Sequence, residues 1–231
     1  MTAAALLSVV LPCRNQEDHI AEVLRSYAAP LAGSPYELVV VPNACTDRTP
    51  ERVREAAAAD PAIRVVENPR GGWGLSVLTG LAAARGSILC YTNSARTDPA
   101  HVAAVADLAL AHAPCVAKVR REHRGAPLRE AGSWLYNLEG RLLFGLAARD
   151  VNGTPKAFSR EVYAGLRLFS EGDLLDLELL ARAQRRGIRI VELPVSGFRR
   201  HGGKSSTNLK TAFGLYTGAL KLKLALADPD A

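Results

Sequence analysis

No run of about 18 uninterrupted apolar residues occurs in this 231-residue chain, so no membrane-spanning helix is expected. The two best stretches are broken by Asp107 and His112, and by Lys221 and Lys223. Cysteine is scarce: Cys13, Cys45, Cys90 and Cys115 form no C-x-x-C pair, and no histidine is spaced to complete a zinc site. Cys13, Cys90 and Cys115 lie in or beside apolar strand-like runs and read as buried free thiols, which points to a reducing, cytosolic compartment. A basic n-region is missing too. Met1 to Ala5 leads straight into a strand, so no signal peptide is expected. No internal repeat of about 20–50 residues and no low-complexity tract appears, which excludes a repeat array.

What is present is the composition of an ordinary globular domain. Hydrophobic residues make up 48% and charged residues 23%, enough to bury a full core and too apolar for a disordered chain. The 29 Lys+Arg outnumber the 23 Asp+Glu, for a net charge of +6. That balance favours anionic partners: phosphorylated small molecules, acidic lipid headgroups or nucleic acid. Nucleic acid is not expected, because the basic residues gather on loops of the second half and form no aromatic-lined stripe.

Short β-branched runs alternate with helical periodicity through the first half. Residues 6–11, 37–41, 63–66 and 87–91 read as strands, and residues 17–27, 75–84 and 99–113 as helices. A further helix starts near Thr49, the expected N-cap, with Pro50 at its first position. The alternation predicts an α/β fold in which a mostly parallel sheet is covered by helices on both faces. The second half is less regular. It reads as a strand at 115–119, a basic loop at 120–129, helices at 131–146 and 174–186, and a strand at 188–193. Residues 197–208 form a glycine-rich basic loop. Residues 209–227 set leucines among Lys210, Lys221 and Lys223 and read as a docking helix or a membrane-surface helix.

In an open parallel sheet, ligands bind beyond the carboxyl ends of the strands. Pro12, Arg14, Asn15, Gln16 and Glu17 follow the first strand, and Asn43, Thr46 and Asp47 the second. Arg70, Gly71, Gly72, Trp73 and Gly74 follow the third, and Asn93, Ser94, Arg96 and Asp98 the fourth. Four polar clusters thus converge on one edge.

Taken in order, these segments resemble family 2 glycosyltransferases of the GT-A fold, close to the dolichyl- and polyprenyl-phosphate sugar synthases. Residues 8–17 (SVVLPCRNQE) resemble the opening strand and its P-x-x-N-E loop, and residues 36–49 (YELVVVPNACTDRT) the strand with D-D-G-S-T-D-x-T. Gly72-Trp73-Gly74 and residues 80–86 (GLAAARG) match the glycine loop and the helix behind it. Residues 150–158 (DVNGTPKAF) are similar to D-x-N-G-x-P-K-x-F, 176–180 (DLELL) to D-x-E-L-L, and 200–206 (RHGGKSS) to R-x-x-G-x-S.

The resemblance implies a Rossmann-like nucleotide-diphospho-sugar transferase of the hexosyl or N-acetylhexosaminyl type. Its GDP- or UDP-sugar would sit in residues 1–113, its acceptor on residues 114–208 of the same domain, with an amphipathic helix and tail over 209–231. Transfer would be inverting, the acceptor oxygen displacing the nucleoside diphosphate in one step. The acceptor implied is phosphate-bearing and polyprenyl-phosphate-like, or a hydroxyl, and an ionised phosphate needs no strong general base. Arg120, Arg129, Ser133, Asn152, Lys156, Arg200, His201, Lys204 and Ser205 are the acceptor-binding residues implied. Asp150, Asp176 and Glu178 are the catalytic candidates. Asp176 and Glu178 are two apart on a helix and point to different faces, so one is placed as base and the other as a structural group. The location implied is cytoplasmic, peripheral to the inner face of a membrane where the acceptor is a lipid.

The departures from the family pattern are equally informative. The D-x-D that ligates Mg²⁺ or Mn²⁺ on the diphosphate falls at Asn93-Ser94-Ala95. An Asn carbonyl is a weak hard-cation ligand, and Ala95 binds no metal. Asp98 is either a substitute ligand or the start of the helix at Pro99. Arg96 is either a fixed cation on the diphosphate or a solvated loop residue. The D-D pair becomes Pro42-Asn43, and Asn43 can still pair with a pyrimidine edge, which tilts the donor towards uridine. Gln16 replaces a Glu. An acid-poor site fits a metal-independent transferase, a metal held elsewhere, or a catalytically inactive nucleotide-sugar-binding protein with a regulatory or assembly role. Trp73 is placed to stack on a base or sugar face, or to plug against a neighbouring helix. Asp47 is placed to reach a ribose hydroxyl or to cap the turn before Thr49. Gly72 and Gly74 put a helix N-terminus where a phosphate is favoured.

Overall fold

The computed structural model describes residues 6–95, 97–122, 127–196 and 209–227. Among the described residues seven strands form one sheet: β1 (Leu7–Cys13), β2 (Tyr36–Pro42), β3 (Ile63–Val65), β4 (Ile88–Tyr91), β5 (Cys115–Arg121), β6 (Lys156–Ser159) and β7 (Arg189–Val195), in the order β3-β2-β1-β4-β6-β5-β7. The first four pair in parallel. β6 runs antiparallel between β4 and β5, and β7 pairs in parallel with β5.

The helices are α1 (Ile20–Ser26), α2 (Ala28–Leu31), α3 (Thr49–Ala59), α4 (Trp73–Ala83), α5 (Pro99–Ala111), α6 (Pro127–Phe144), α7 (Arg160–Leu166), α8 (Leu175–Arg185) and α9 (Leu209–Ala225). β1 shows why its sequence is apolar without alternation. Val9 and Leu11 pack into the core on one face with Ile20, Val23, Val53 and Val102, while Val10 joins Val77, Leu81 and Leu179 on the other. A strand buried on both faces reads as a continuous apolar run. Gly80 lets α4 press onto this sheet, since a Cβ there would fall 2.3 Å from Val10 Cγ1.

Two expectations are corrected. Residues 120–129 are not a basic loop throughout: Arg120 and Arg121 continue β5, because β7 pairs with it as far as Arg121–Val195. Thr49 does not cap α3 but is its first residue, its N–H donating to Asp47 Oδ1 at 3.0 Å. The C-terminal helix, expected to dock or to lie on a membrane surface, packs one face against the fold: Ala219, Leu222 and Leu226 are buried, and the Tyr216 hydroxyl donates to the Gly132 carbonyl of α6 at 2.9 Å.

The thiols follow expectation. Cys13, Cys90 and Cys115 are buried and all four cysteines are free, and burial pushes those three thiols above their ordinary range. Cys45 is only half-buried. A thiol reagent added to the native protein is expected to modify Cys45 rapidly and the other three only on denaturation; fast reaction of two or more would contradict the packing.

Candidate active site

The loops after β1, β2, β3 and β4 are stitched to one another. Asn15, held at a left-handed φ of 50°, brackets Thr46: its Nδ2 donates to Thr46 Oγ1 at 3.1 Å, and its Oδ1 accepts from the Thr46 N–H at 2.9 Å. Asn tolerates that backbone region better than most residues. Buried Gln16 donates through its N–H to Thr49 Oγ1 at 2.7 Å and through Nε2 to Ser94 Oγ at 2.9 Å. Ser94 lies 2.9 Å from the Pro12 carbonyl. Glu17 donates its N–H to Asp47 Oδ2 and accepts from the Arg48 N–H. The Ala44 N–H closes the ring on the Asn68 carbonyl.

Most of the residues expected on the donor side therefore form a frame. Asp47 engages one oxygen with Thr49 and the other with Glu17. Burial works to raise its carboxyl, and those hydrogen bonds outweigh it and hold the group below the usual carboxylate range. Two side chains of the frame keep capacity. Arg14 is exposed. The Asn43 Oδ1 is buried without a hydrogen-bond partner, next to Gly71, where a Cβ would come within 3.5 Å of it.

The D-x-D position does not fit a hard divalent ion. Asn93 Oδ1 accepts from the Ala95 N–H at 2.9 Å, Ser94 is tied to Gln16, and Ala95 carries no ligand. Asp98 caps α5, accepting from the Ala100 N–H at 2.9 Å, which settles that residue in favour of helix initiation. Among the described residues no group of three His, Cys, Asp or Glu side chains is placed to hold a metal. Arg96 lies outside the described residues.

The glycine loop differs from expectation. The N-terminus of α4 does not face an open crevice: the Leu75 N–H donates to the Glu171 carbonyl at 2.7 Å. A Cβ on Gly74 would sit 2.1 Å from the Ser170 carbonyl oxygen, and one on Gly72, at φ 116°, 2.9 Å from that of Glu171. These glycines admit the loop before α8, whose carbonyls occupy the place a phosphate would take. Trp73 is turned inward as well. Its Nε1 donates to Asp176 Oδ2 at 3.2 Å, and its ring meets Tyr91 edge-on at 6.3 Å.

Trp73 thereby enters a buried cluster. Asp176 Oδ1 accepts from the Tyr91 hydroxyl at 2.7 Å and pairs with Lys156 Nζ. Lys156 has no solvent exposure, so it is a core ion-pair partner and not an acceptor ligand. Burial draws its pKa down against the pull of Asp176. Glu178 is corrected likewise. Fully buried, it accepts from the Phe169 and Ser170 N–H groups and from Arg182 Nε at 2.8 Å, and so fixes the loop that covers α4.

Asp150 is held bidentately by Arg121, with Nε to Oδ2 and Nη2 to Oδ1 both at 2.8 Å. Its carbonyl takes Lys118 Nζ at 2.5 Å, and Lys118 also reaches Glu192 at 3.1 Å. Burial, with Lys156 nearby, pulls the Lys118 pKa down to about 8. Asn152 has a buried Oδ1 without a partner. Beside this loop Arg120, Arg121, Glu122 and Arg149 line an open cavity of about 390 Å³, in which Arg120 pairs with Glu122 at 2.9 Å. Ser133 is half-buried on α6. Arg200, His201, Lys204, Ser205 and the Arg129 side chain lie outside the described residues.

Sequence reasoning offered Arg121 for an acceptor phosphate, with Arg120, and missed Tyr91, Lys118, Arg149 and Glu192. The signal for Lys118 was present in Cys115-Val116-Ala117-Lys118-Val119, a lysine inside an apolar strand. On an inner strand such a lysine must find a buried partner.

The family model for glycosyl transferase family 2 matches residues 8–166. Glycosyltransferase AglD of Haloferax volcanii is 32% identical over 213 residues, 84% of this chain. Undecaprenyl-phosphate 4-deoxy-4-formamido-L-arabinose transferase of Pseudomonas aeruginosa is 26% identical over 162 residues, 68% of this chain. The chain spans 33% of the first relative and 48% of the second. Glucosyl-3-phosphoglycerate synthase from Mycobacterium tuberculosis, solved with Mn²⁺, UDP and glucosyl-3-phosphoglycerate, shares the fold. Its TM-score is 0.73 over 96% of this chain and 79% of its own, at 22% identity. Motif order, sheet topology and these likenesses agree, and the chain belongs to glycosyl transferase family 2, built on the GT-A fold.

Proposed function

We propose that the protein is an inverting transferase that moves a sugar from a uridine-type nucleoside diphosphate to an acceptor carrying a phosphate. The observation behind this reading is the state of Asp150, Asp176 and Glu178. All three are buried, and each carboxylate oxygen already accepts a hydrogen bond. A hydroxyl acceptor needs a base to take its proton, whereas a phosphate arrives ionised. Arg120, Arg121 and Arg149 line the cavity beside the Asp150 loop, and arginine matches phosphate geometry. Two of the similar proteins carry names consistent with such acceptors, undecaprenyl phosphate and phosphoglycerate.

On the donor side, Asn43 Oδ1 would accept from the base, and Arg14 would neutralise the leaving diphosphate in one arrangement for an acid-poor site. Titration calorimetry with UDP, GDP and CDP, each with excess Mn²⁺ and again with EDTA, tests this arrangement. UDP binding that survives EDTA is expected. Binding that needs the metal would reject Arg14 as its substitute, and no binding under any condition would reject the donor site. In transfer assays, Arg120→Ala and Arg149→Ala are each expected to raise KM for a phosphorylated acceptor by about tenfold or more. Equal turnover of an acceptor and its dephosphorylated form would reject the phosphate reading.

A further inference from the structure

Seven large apolar side chains are exposed among the described residues, and five of them lie on α6 and α9: Trp134 (62%), Leu135 (48%), Leu142 (76%), Leu220 (54%) and Leu224 (74%). On α6, Trp134, Leu135, Leu138 and Leu142 follow helical spacing along one face. The opposite face is built into the fold: Asn137 Oδ1 accepts from the Val151 N–H at 2.9 Å, and Gly140 abuts Leu146 and Val151. On α9, Leu220 and Leu224 are one turn apart, away from buried Ala219 and Leu222.

The two helices lie side by side. Tyr216 bonds to Gly132, its ring meets that of Tyr136 at 6.0 Å, and Lys223 Nζ sits 5.6 Å from the Phe144 ring centroid. Tyr136 and Phe144 of α6 and Ala219 and Leu222 of α9 enter one core cluster, so the leucines on the opposite sides of both helices face away from it. Exposed Arg141, Lys221 and Lys223 stand on the same pair of helices. Of their acidic residues, Glu130 is exposed and Glu139 is half-buried.

We propose that this two-helix face seats the protein on an anionic lipid surface. Leucines and a tryptophan flanked by lysine and arginine match the acyl boundary and headgroups of such a surface at once. A second copy of the chain is a poorer occupant, because a twofold contact would set Arg141, Lys221 and Lys223 against their own kind. The placement also suits the proposed acceptor. The inner side of α6 touches the Asp150–Val151 loop, so the arginine cavity would lie about one helix diameter, roughly 10 Å, from the headgroups.

Flotation of the full chain with vesicles, without donor or acceptor, tests the face independently of the sugar-transfer reading. Binding is expected to phosphatidylcholine vesicles that contain phosphatidylglycerol, and little to phosphatidylcholine alone. Leu142→Ser/Leu220→Ser/Leu224→Ser is expected to weaken partitioning by about tenfold or more with nucleotide binding unchanged. Lys221→Gln and Lys223→Gln are each expected to weaken it about fivefold at low salt, with the difference fading at high salt. Undiminished flotation of the triple variant would overturn the proposal. So would a wild-type dimer that the triple variant dissociates while neither form floats, since the face would then join two copies.

Discussion

Replacing Lys156 with methionine is expected to lower the unfolding free energy by about 3 kcal/mol, the low end for breaking a buried ion pair from one side. Asp176 would keep its hydrogen bonds from Tyr91 and Trp73 but lose the buried ammonium that pairs with it. The low end applies because those two donors still partly satisfy the carboxylate. Lys156→Met/Asp176→Asn removes both charges, with the amide oxygen accepting from Trp73 Nε1 and the amide NH2 donating to the Tyr91 hydroxyl, which accepts as well as donates. It is expected to recover at least half of the loss, a coupling read from a double-mutant cycle in urea. A single variant within about 0.5 kcal/mol of wild type would mean that the pair does not hold the cluster together.

The second large effect is steric. Gly74→Ala would place a Cβ 2.1 Å from the Ser170 carbonyl oxygen and 2.6 Å from that of Gly172. Both are backbone atoms with no side chain to swing aside, so α4 must part from the loop before α8. A loss of about 2–3 kcal/mol is expected, as for overpacked cores. The Trp73–Asp176 bond would lengthen with it and alter the near-ultraviolet dichroism of Trp73. Gly172→Ala is the control on the same loop. Nothing lies within 4 Å of its added Cβ, and a change within about 0.5 kcal/mol is expected. Equal effects of the two would remove the steric argument.

These residues show where sequence reading succeeds and where it stops. β1 to β4 were legible because short, mainly apolar runs rich in β-branched residues end at polar loops, twice near a proline, Pro12 and Pro42. β6 was not, because four residues beginning with a lysine carry no periodicity, and no local pattern states that a strand slots between two others. Charge misled at Arg120 and Arg121, where pairing with β7 overrides the preference of arginine for solvent. It misled again at α8. Asp176 and Glu178 do leave the helix in different directions, yet every residue from Leu175 to Ala183 is buried, so both directions lead inward. The loops after β1 to β4 do lie at one sheet edge, because those strands run parallel. Which of their side chains knit the loops together and which keep free capacity depended on contacts between distant segments, such as Gln16 with Ser94.

The position of β6 bears on how substrates enter and leave. It hydrogen-bonds to β4 of the first half of the chain along Ile88–Tyr91, and to β5 of the second half from Val116 to Lys118. The two halves are thus woven into one sheet without a hinge between them. A clamshell opening would have to tear these ladders, so in the proposed transfer the entry of donor and exit of nucleotide would fall to the loops above the sheet edge, with the framework beneath staying rigid.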